Sequence, residues 1–384
     1  MPKYLPRAWQ VEAMKRWVAA GHRGIISVVT GGGKTVFALS CVAELRPDTT
    51  LVVVPTEALL EQWWEEAAFY FDIPLEAVHV IRGKGRLKTG SINLAVINTA
   101  AELPMTGRWG RLLLIVDECH KAASESFRKI LAIEAVASLG LSATPDRPYD
   151  DGLEEILIPA LGQVIFSYDY VAALADDVIV PFTLHNVVFD LEDDRQAEYD
   201  KLTKSIARSM QQHGPEAEMT IALMLKRARV LNLSLKRVKI ALKLVALNRS
   251  KRTLIFHEDI QACEIIASVL EQSGVPSRIY HSRMRLKARA EALKEYRAGR
   301  AEVLVTCRAL DEGFNVPETQ LGIIAASTAT RRQRIQRLGR IVRPAPDKET
   351  ANIYTLVATK PEIARLKEEE HLLEGVASIK WSKA

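Results

Sequence analysis

The sequence predicts an α/β protein built on two doubly wound parallel sheets. Three observations carry that prediction. Short apolar runs alternate with amphipathic helical stretches in both halves of the chain. A glycine turn, Gly31-Gly32-Gly33-Lys34-Thr35, follows directly on the apolar run 25–29. An acidic pair, Asp117-Glu118, closes a second apolar run at 112–116. Strands separated by helices are joined by crossovers, which makes neighbouring strands parallel. In such sheets ligands collect at the carboxyl ends of the strands, and both motifs fall there.

Taken in order, the first half predicts strands over 24–29, 50–54, 94–97, 112–116 and 138–141, where β-branched and leucine residues run together. Helices are expected over 10–20, 36–43, 57–70 and 126–137, where apolar residues recur at helical spacing. After Pro159 the pattern changes. Residues 178–190 read as one or two strands broken at Pro181, and 192–218 as an exposed polar helix interrupted at Gly214-Pro215. A basic amphipathic helical region covers 221–247. A second alternation follows, with strands over 253–256, 277–280, 303–306, 321–325 and 352–357 and helices over 260–272, 286–297 and 330–338. The expected organisation is a first domain over 1–165, a linker or helical insertion over 166–230, and a second domain over 231–384. No short-period repeat is visible.

Composition bounds the function. A chain of 384 residues exceeds one ordinary core, and 48% apolar content excludes a disordered chain. No uncharged apolar run approaches the ~18 residues of a membrane span, and Met1-Pro2-Lys3-Tyr4 opens no apolar signal region. Cys41, Cys119, Cys263 and Cys307 are scattered singly, so neither a zinc site nor a disulfide framework is expected. A reducing, cytoplasmic location fits this usage. Net charge is only +5, but its distribution is uneven. Residues 226–252 hold ten basic side chains (Lys226, Arg227, Arg229, Lys236, Arg237, Lys239, Lys243, Arg249, Lys251 and Arg252) and no acidic one. Two readings stand for that run: a grip on a polyanion, or a packed helix whose arginines face solvent.

The two motifs require particular chemistry. Consecutive glycines let backbone N–H groups curl around phosphate oxygens, and a following helix start adds positive potential. Lys34 is placed to neutralise β- and γ-phosphates, and the Thr35 hydroxyl to ligate Mg²⁺. Asp117 is the candidate to hold the metal, and Glu118 to polarise an attacking water. Val28 stands where the general phosphate-loop pattern has glycine, so the assignment rests on Gly31, Gly32, Gly33, Lys34 and Thr35 together with their context. A glycine loop alone, or an acidic cap alone, would be ordinary. Their joint occurrence after two strands predicts an ATP site.

Further residues complete a resemblance to the superfamily 2 helicases and translocases, running from about Leu5 to Pro344 with the motifs in family order. That resemblance implies two RecA-like domains with ATP in the cleft between them. Arg7-Ala8-Trp9-Gln10 resembles the adenine-reading motif, with Arg7 and Gln10 at the nucleotide. Pro55-Thr56-Glu57 and Asn98-Thr99-Ala100 resemble the nucleic-acid motifs of the first domain, implying contacts from Pro55, Thr56 and Thr99. Ser142-Ala143-Thr144-Pro145 is similar to the motif that couples hydrolysis to strand movement, with His120 bridging toward it. In the second domain, Leu254-Ile255-Phe256-His257 resembles the opening strand, and 306–317 the motif that faces nucleotide and nucleic acid. The implied contacts are His257, Thr306 and Arg308 to nucleic acid and Gly313 to nucleotide. Gln336-Arg337-Leu338-Gly339-Arg340-Ile341-Val342-Arg343-Pro344 resembles the motif that supplies arginine fingers, here Arg340 and Arg343, with Gln336 near the γ-phosphate.

Asp117-Glu118-Cys119-His120 points away from the RNA helicases that carry Asp-Glu-Ala-Asp, and Ala143-Thr144-Pro145-Asp146-Arg147 is similar to XPB-like and restriction-motor helicases. The Arg-Glu-Asp wedge of the XPB type is not found, which favours translocation over strand separation. The resulting expectation is an ATP-dependent DNA translocase or helicase that grips phosphates more than bases, with duplex, forked or single-stranded DNA as track and a protein partner for targeting. An RNA-remodelling ATPase and an ATP-binding switch that recruits a partner are the alternatives.

Overall fold

The computed structural model describes residues 4–104, 106–145, 151–307, 316, 318–326, 337–346 and 348–384. Arg308, Gly313 and Gln336 lie outside the described residues, as do Asp146 and Arg147.

The chain divides into two units between Val178 and Ile179. The first unit is a seven-stranded sheet of β1 (Arg23–Val28), β2 (Thr49–Val54), β3 (His79–Val80), β4 (Ile92–Val96), β5 (Leu112–Asp117), β6 (Ala137–Ser142) and β7 (Val164–Tyr168). Its spatial order is β3-β4-β2-β5-β6-β1-β7, and every pairing is parallel. β2, β5 and β6 are buried at every position. Strands covered by helices on both faces have no polar side, which is why these segments read as continuous apolar runs rather than alternations. The order has a functional consequence. β6 lies between β5 and β1, so the end of β6, at Ser142, stands between the acidic pair and the glycine turn.

The expected strands appear within one or two residues of their predicted limits. The helix expected over 126–137 does not form. A 3₁₀ segment, Arg128–Ala132, gives way at Ile133 to extended backbone (φ −62°, ψ 136°). Val136 N then donates to Leu112 O (3.0 Å), and pairing with β5 begins. Sheet registration overrides the helical spacing there. β3 and β7 were not expected: β3 is only two residues long, and the apolar run of β7 falls after Pro159, where the alternation changes; β7 is an edge strand whose side chains are mostly half-exposed.

The second unit is also a seven-stranded parallel sheet, of β8 (Phe182–Val188), β9 (Thr253–His257), β10 (Ser277–His281), β11 (Val303–Cys307), β12 (Leu321–Ile324), β13 (Ala351–Val357) and β14 (Ala377–Lys383). The order is β10-β11-β9-β12-β13-β8-β14. Helices Ile260–Gln272 and Leu286–Arg297 fall where periodicity places them, the first capped by Asp259 Oδ1, which accepts from Ala262 N (3.1 Å). Residues 166–230, expected as a linker, divide between the units. β7 and helix Tyr170–Ala175 precede the division, and β8 joins the second sheet. Helices Asp193–His213 and Glu218–Asn232 pack on each other around Tyr199, Leu202 and Val230, separated by Gly214 at φ 84°.

Arg237 corrects the reading of the basic run. It neither faces solvent nor is available to a polyanion, being fully buried. Its guanidinium donates to Leu231 O (3.0 Å), Ala325 O (3.0 Å), Leu356 O (2.7 Å) and Glu362 Oε1 (2.8 Å) and lies 5.1 Å over the Phe189 ring. Burial alone would raise the Glu362 carboxyl, but Arg237 and the N–H groups of Ala358 and Thr359 outweigh it and hold the carboxyl below its usual range. Arg237→Ala would leave that carboxylate buried and unpaired, at a cost of about 3–5 kcal/mol. A clear fall in the denaturant midpoint of the second unit is expected. A midpoint unchanged from wild type would mean that water or a neighbour replaces the guanidinium.

Candidate nucleotide site and its comparison with known proteins

β1 ends at Val28 and leads into the glycine turn, and Gly33 opens helix Lys34–Leu45 in the left-handed conformation (φ 99°). The unexpected Val28 has a structural role. A Cβ at position 32 would lie 2.5 Å from Val28 Cγ1 and 3.1 Å from Val29 O. The valine side chain fills space beneath the turn, and only glycine at position 32 leaves the loop backbone close to it. The helix Ala8–Ala19 backs the loop from the other side. Trp9 stacks on Tyr168 (5.3 Å between ring centroids), and its Nε1 donates to Gly32 O (3.2 Å). Arg7 Nη1 donates to the same oxygen (3.0 Å), and Gln10 Nε2 to Gly33 O (3.1 Å). Arg7 and Gln10 therefore sit beside the phosphate loop, and both support its backbone.

Lys34 Nζ donates to Val28 O (3.2 Å) and stands 3.8 Å from Glu118 Oε1. This contact joins the two sequence motifs in one site. Asp117, at the end of β5, is buried; its Oδ2 accepts from Trp63 Nε1 (2.8 Å) and its Oδ1 from Glu118 N (2.9 Å). Burial first, and the Glu118 charge second, raise the Asp117 carboxyl to about 6, against the opposing pull of Lys34 and Trp63. Two carboxylates buried side by side are destabilised by each other and relieved by a cation. With the half-buried Thr35 hydroxyl at the start of the helix, this donor set fits a hard divalent ion such as Mg²⁺.

Glu118 holds a left-handed backbone (φ 48°), uncommon for a residue with a side chain. Its Oε2 lies 3.5 Å from His120 Nδ1 but makes no hydrogen bond, because that nitrogen pairs with Ser142 Oγ at 3.1 Å. Ser142 Oγ also accepts from Thr144 N (3.1 Å). Glu118, His120, Ser142 and Thr144 thus stand in succession, hydrogen-bonded from His120 to Thr144, with Ala143 half-buried among them.

Other expected site residues are placed differently. His257 and Thr306 are fully buried at the ends of β9 and β11. His257 Nδ1 accepts from Asp259 N (3.0 Å), so the ring supports the start of the next helix; burial, and then Arg237, lower it to about 4 and keep it neutral. Neither side chain is exposed to solvent in this structure. Thr56 Oγ1 accepts from Leu59 N (3.3 Å) as a helix cap, while Pro55, Thr56 and Thr99 remain half-exposed. Arg340 is buried and Arg343 half-buried; burial, and then Arg340, disfavour the Arg343 charge. Adjacent guanidiniums in such surroundings are an electrostatic setting for an anion. Sequence reasoning missed Trp9 and Trp63. Their only signal was that a buried indole N–H must find an acceptor.

Comparison with known families agrees with this geometry. Residues 3–147 match the family described as "Type III restriction enzyme, res subunit", and residues 236–345 match "Helicase conserved C-terminal domain". The chain belongs to the superfamily 2 helicases. Among relatives of this superfamily 2 helicase is "DNA 3'-5' translocase XPB2" of Sulfurisphaera tokodaii, 29% identical over 365 residues that cover 89% of this chain and 79% of the relative. "Putative DNA 3'-5' helicase Rad25" of Haloarcula marismortui is 26% identical over 375 residues, covering 94% of this chain but 54% of the relative. The chain therefore spans only about half the length of that second protein. Among solved structures, "ATP-dependent Type ISP restriction-modification enzyme LlaBIII bound to DNA" superposes with a TM-score of 0.69 at 16% identity, over 100% of this chain and 31% of that one. The "S. cerevisiae Dbp5 bound to RNA and ADP BeF3" structure gives 0.67 at 12% identity, over 98% and 90%. At such identities these structures speak for the fold: two RecA-like units. A superfamily 2 helicase hydrolyses ATP, and the joined Lys34–Asp117–Glu118 cluster is the candidate site for that chemistry. Among the described residues no helix is long and apolar enough to cross a membrane.

Proposed function

We propose that this superfamily 2 helicase is an ATP-driven DNA translocase of 3′–5′ polarity with little sequence preference, opening strands only as a consequence of moving. The observation that carries the reading is the joined site: Lys34 on the phosphate loop, 3.8 Å from Glu118, with Asp117 buried beside it. The DNA track and its polarity are taken from relatives named as DNA 3'-5' translocases and helicases, including an XPB helicase of Kineococcus radiotolerans.

In this mechanism ATP with Mg²⁺ supplies the γ-phosphoryl group and the charge that partly neutralises it. Gly31, Gly32 and Gly33 present backbone N–H groups to the phosphates, and Lys34 exchanges its contact with Val28 O for phosphate oxygens. Thr35 and Asp117 would hold the metal, which would supply charge neutralisation at the phosphates. Glu118 orients and deprotonates the attacking water through the carboxylate oxygen that makes no hydrogen bond. His120 and Ser142 pass the state of Glu118 to Thr144. Arg340, Arg343 and Gln336 supply positive charge and a polar contact to the γ-phosphate during turnover. Pro55, Thr56 and Thr99 contact the DNA backbone.

The test is steady-state ATP hydrolysis with no polymer, single-stranded DNA, duplex DNA, forked DNA and RNA, with Glu118→Gln as blank. DNA is expected to raise turnover at least several-fold, and displacement of a protein block from one DNA end should be polar. Stimulation by RNA alone would replace DNA with RNA as the track. Nucleotide binding without stimulated hydrolysis on any polymer would favour a partner-recruiting switch.

A further inference from the structure

Buried side chains from elsewhere in the second unit hold the stretch 337–343 on both sides of Arg340. We propose that Glu258 and Lys348 are positioning residues for ATP hydrolysis, fixing the backbone from which Arg340 and Arg343 project. The inference deepens the proposed function and rests on its assignment of those two arginines.

Ahead of Arg340, Arg337 is fully buried. Its Nη2 donates to Glu258 Oε1 at 2.7 Å, and its guanidinium lies 5.1 Å over the Phe256 ring. Phe256 belongs to β9 and Glu258 follows that strand, so the sheet itself is the anchor. At the trailing end, Lys348 is 6% exposed. Its Nζ donates to Ile341 O and to Arg343 O (2.7 Å for the latter). Val180 N takes the intervening Val342 O (2.8 Å). Three successive carbonyls at the end of a helical segment are thus satisfied, two of them by one ammonium. Helix ends leave such carbonyls without internal partners, and a cation there is favoured by the helix dipole. Lysines are almost never buried unless paired, and here the two carbonyls provide that pairing. Arg340 and Arg343 lie between the two anchors.

An arginine that must meet developing charge gains nothing from being present if its backbone can drift; displacement by about 1 Å can cost ~10²-fold in rate. The charged groups facing the Lys348 ammonium are Glu318 and Arg343. Burial first, and Arg343 after it, lower Lys348 to about 7, while Glu318 opposes them. The ammonium is therefore present below neutrality and is lost as pH rises through neutral, which weakens the trailing anchor on the alkaline side. An arginine at 348 would keep its charge across that range.

The experiment is a kcat and KM determination for ATP on saturating DNA, from pH 6 to about 9, for wild type, Glu258→Gln, Lys348→Met, Lys348→Arg and Arg340→Ala, with thermal midpoints recorded. Glu258→Gln and Lys348→Met are expected to lower kcat at least tenfold with KM changed less than about twofold. Lys348→Arg is expected to recover most of kcat and to flatten the alkaline limb of the wild-type profile. Combining Glu258→Gln with Arg340→Ala should lower kcat by less than the product of the two single effects, because part of the Glu258 effect passes through Arg340. Loss of kcat in Arg340→Ala with wild-type kcat in Glu258→Gln and Lys348→Met would overturn the positioning proposal and leave the arginine assignment standing. Wild-type kcat in Arg340→Ala would overturn the assignment itself. Effects that follow the thermal midpoint, with an unaltered alkaline limb in Lys348→Arg, would reduce both residues to a structural role.

Discussion

Glu118→Gln is expected to bind ATP as wild type does and to hydrolyse it some 10²–10⁴-fold more slowly, the range that a positioned general base contributes. The substitution keeps the volume and the shape of the side chain. What it removes is the ability to take a proton from water. In this structure one carboxylate oxygen is 3.8 Å from Lys34, while the other, 3.5 Å from His120, makes no hydrogen bond. A buried acceptor without a hydrogen bond is costly, and a left-handed backbone at a non-glycine residue adds strain. Both features suit a group held ready for a water that arrives with the nucleotide. Removing one of two neighbouring buried negative charges should also raise the thermal midpoint of the nucleotide-free protein. Phosphate release at saturating ATP, paired with titration of a fluorescent nucleotide, reads the two effects separately. Undiminished phosphate release would move the base to another residue.

Lys34→Ala is the second large effect. Turnover is expected to become undetectable and nucleotide affinity to fall by about ten- to a hundred-fold, from the ~1.5–3 kcal/mol that a hydrogen bond to a charged group contributes. The ammonium also offsets the mutual repulsion of Asp117 and Glu118, lowering the Asp117 carboxyl against the effect of burial. Its loss therefore weakens phosphate binding and leaves two buried carboxyls unopposed. Equal nucleotide affinity in mutant and wild type would show that Lys34 serves only to pin Val28 and Glu118 in the free protein.

The legible parts of the sequence were those where local chemistry and fold demand the same residues. Buried parallel strands read as apolar runs, so β1, β2, β5, β6, β9 and β11 were visible without a partner in view. The glycine turn and the acidic pair announced their chemistry because phosphate and metal binding permit few residue types. What stayed hidden depended on neighbours remote in sequence. Val28 looked like a flaw in the phosphate-loop pattern until its packing against Gly32 was seen. Arg237 looked like one member of a basic run, yet its partners are Ala325, Leu356 and Glu362. His257 and Thr306 were placed at nucleic acid by their motif positions, whereas the sheet buries both. The helix expected over 126–137 lost to strand pairing, which periodicity cannot detect.

The second sheet also carries a consequence for synthesis. β8 lies between β13 and β14, parallel to both. The first unit has all its strands once Tyr168 has left the ribosome. Phe182–Val188 emerges soon afterwards but finds its flanking partners only when Ala351–Val357 and Ala377–Lys383 have been translated. Throughout that interval a strand bound for the interior has both edges open. Pairings so distant along the chain form slowly and leave unpaired strands exposed to aggregation. Chaperone dependence in the cell should therefore concentrate on the nascent second unit, with the first already folded ahead of it.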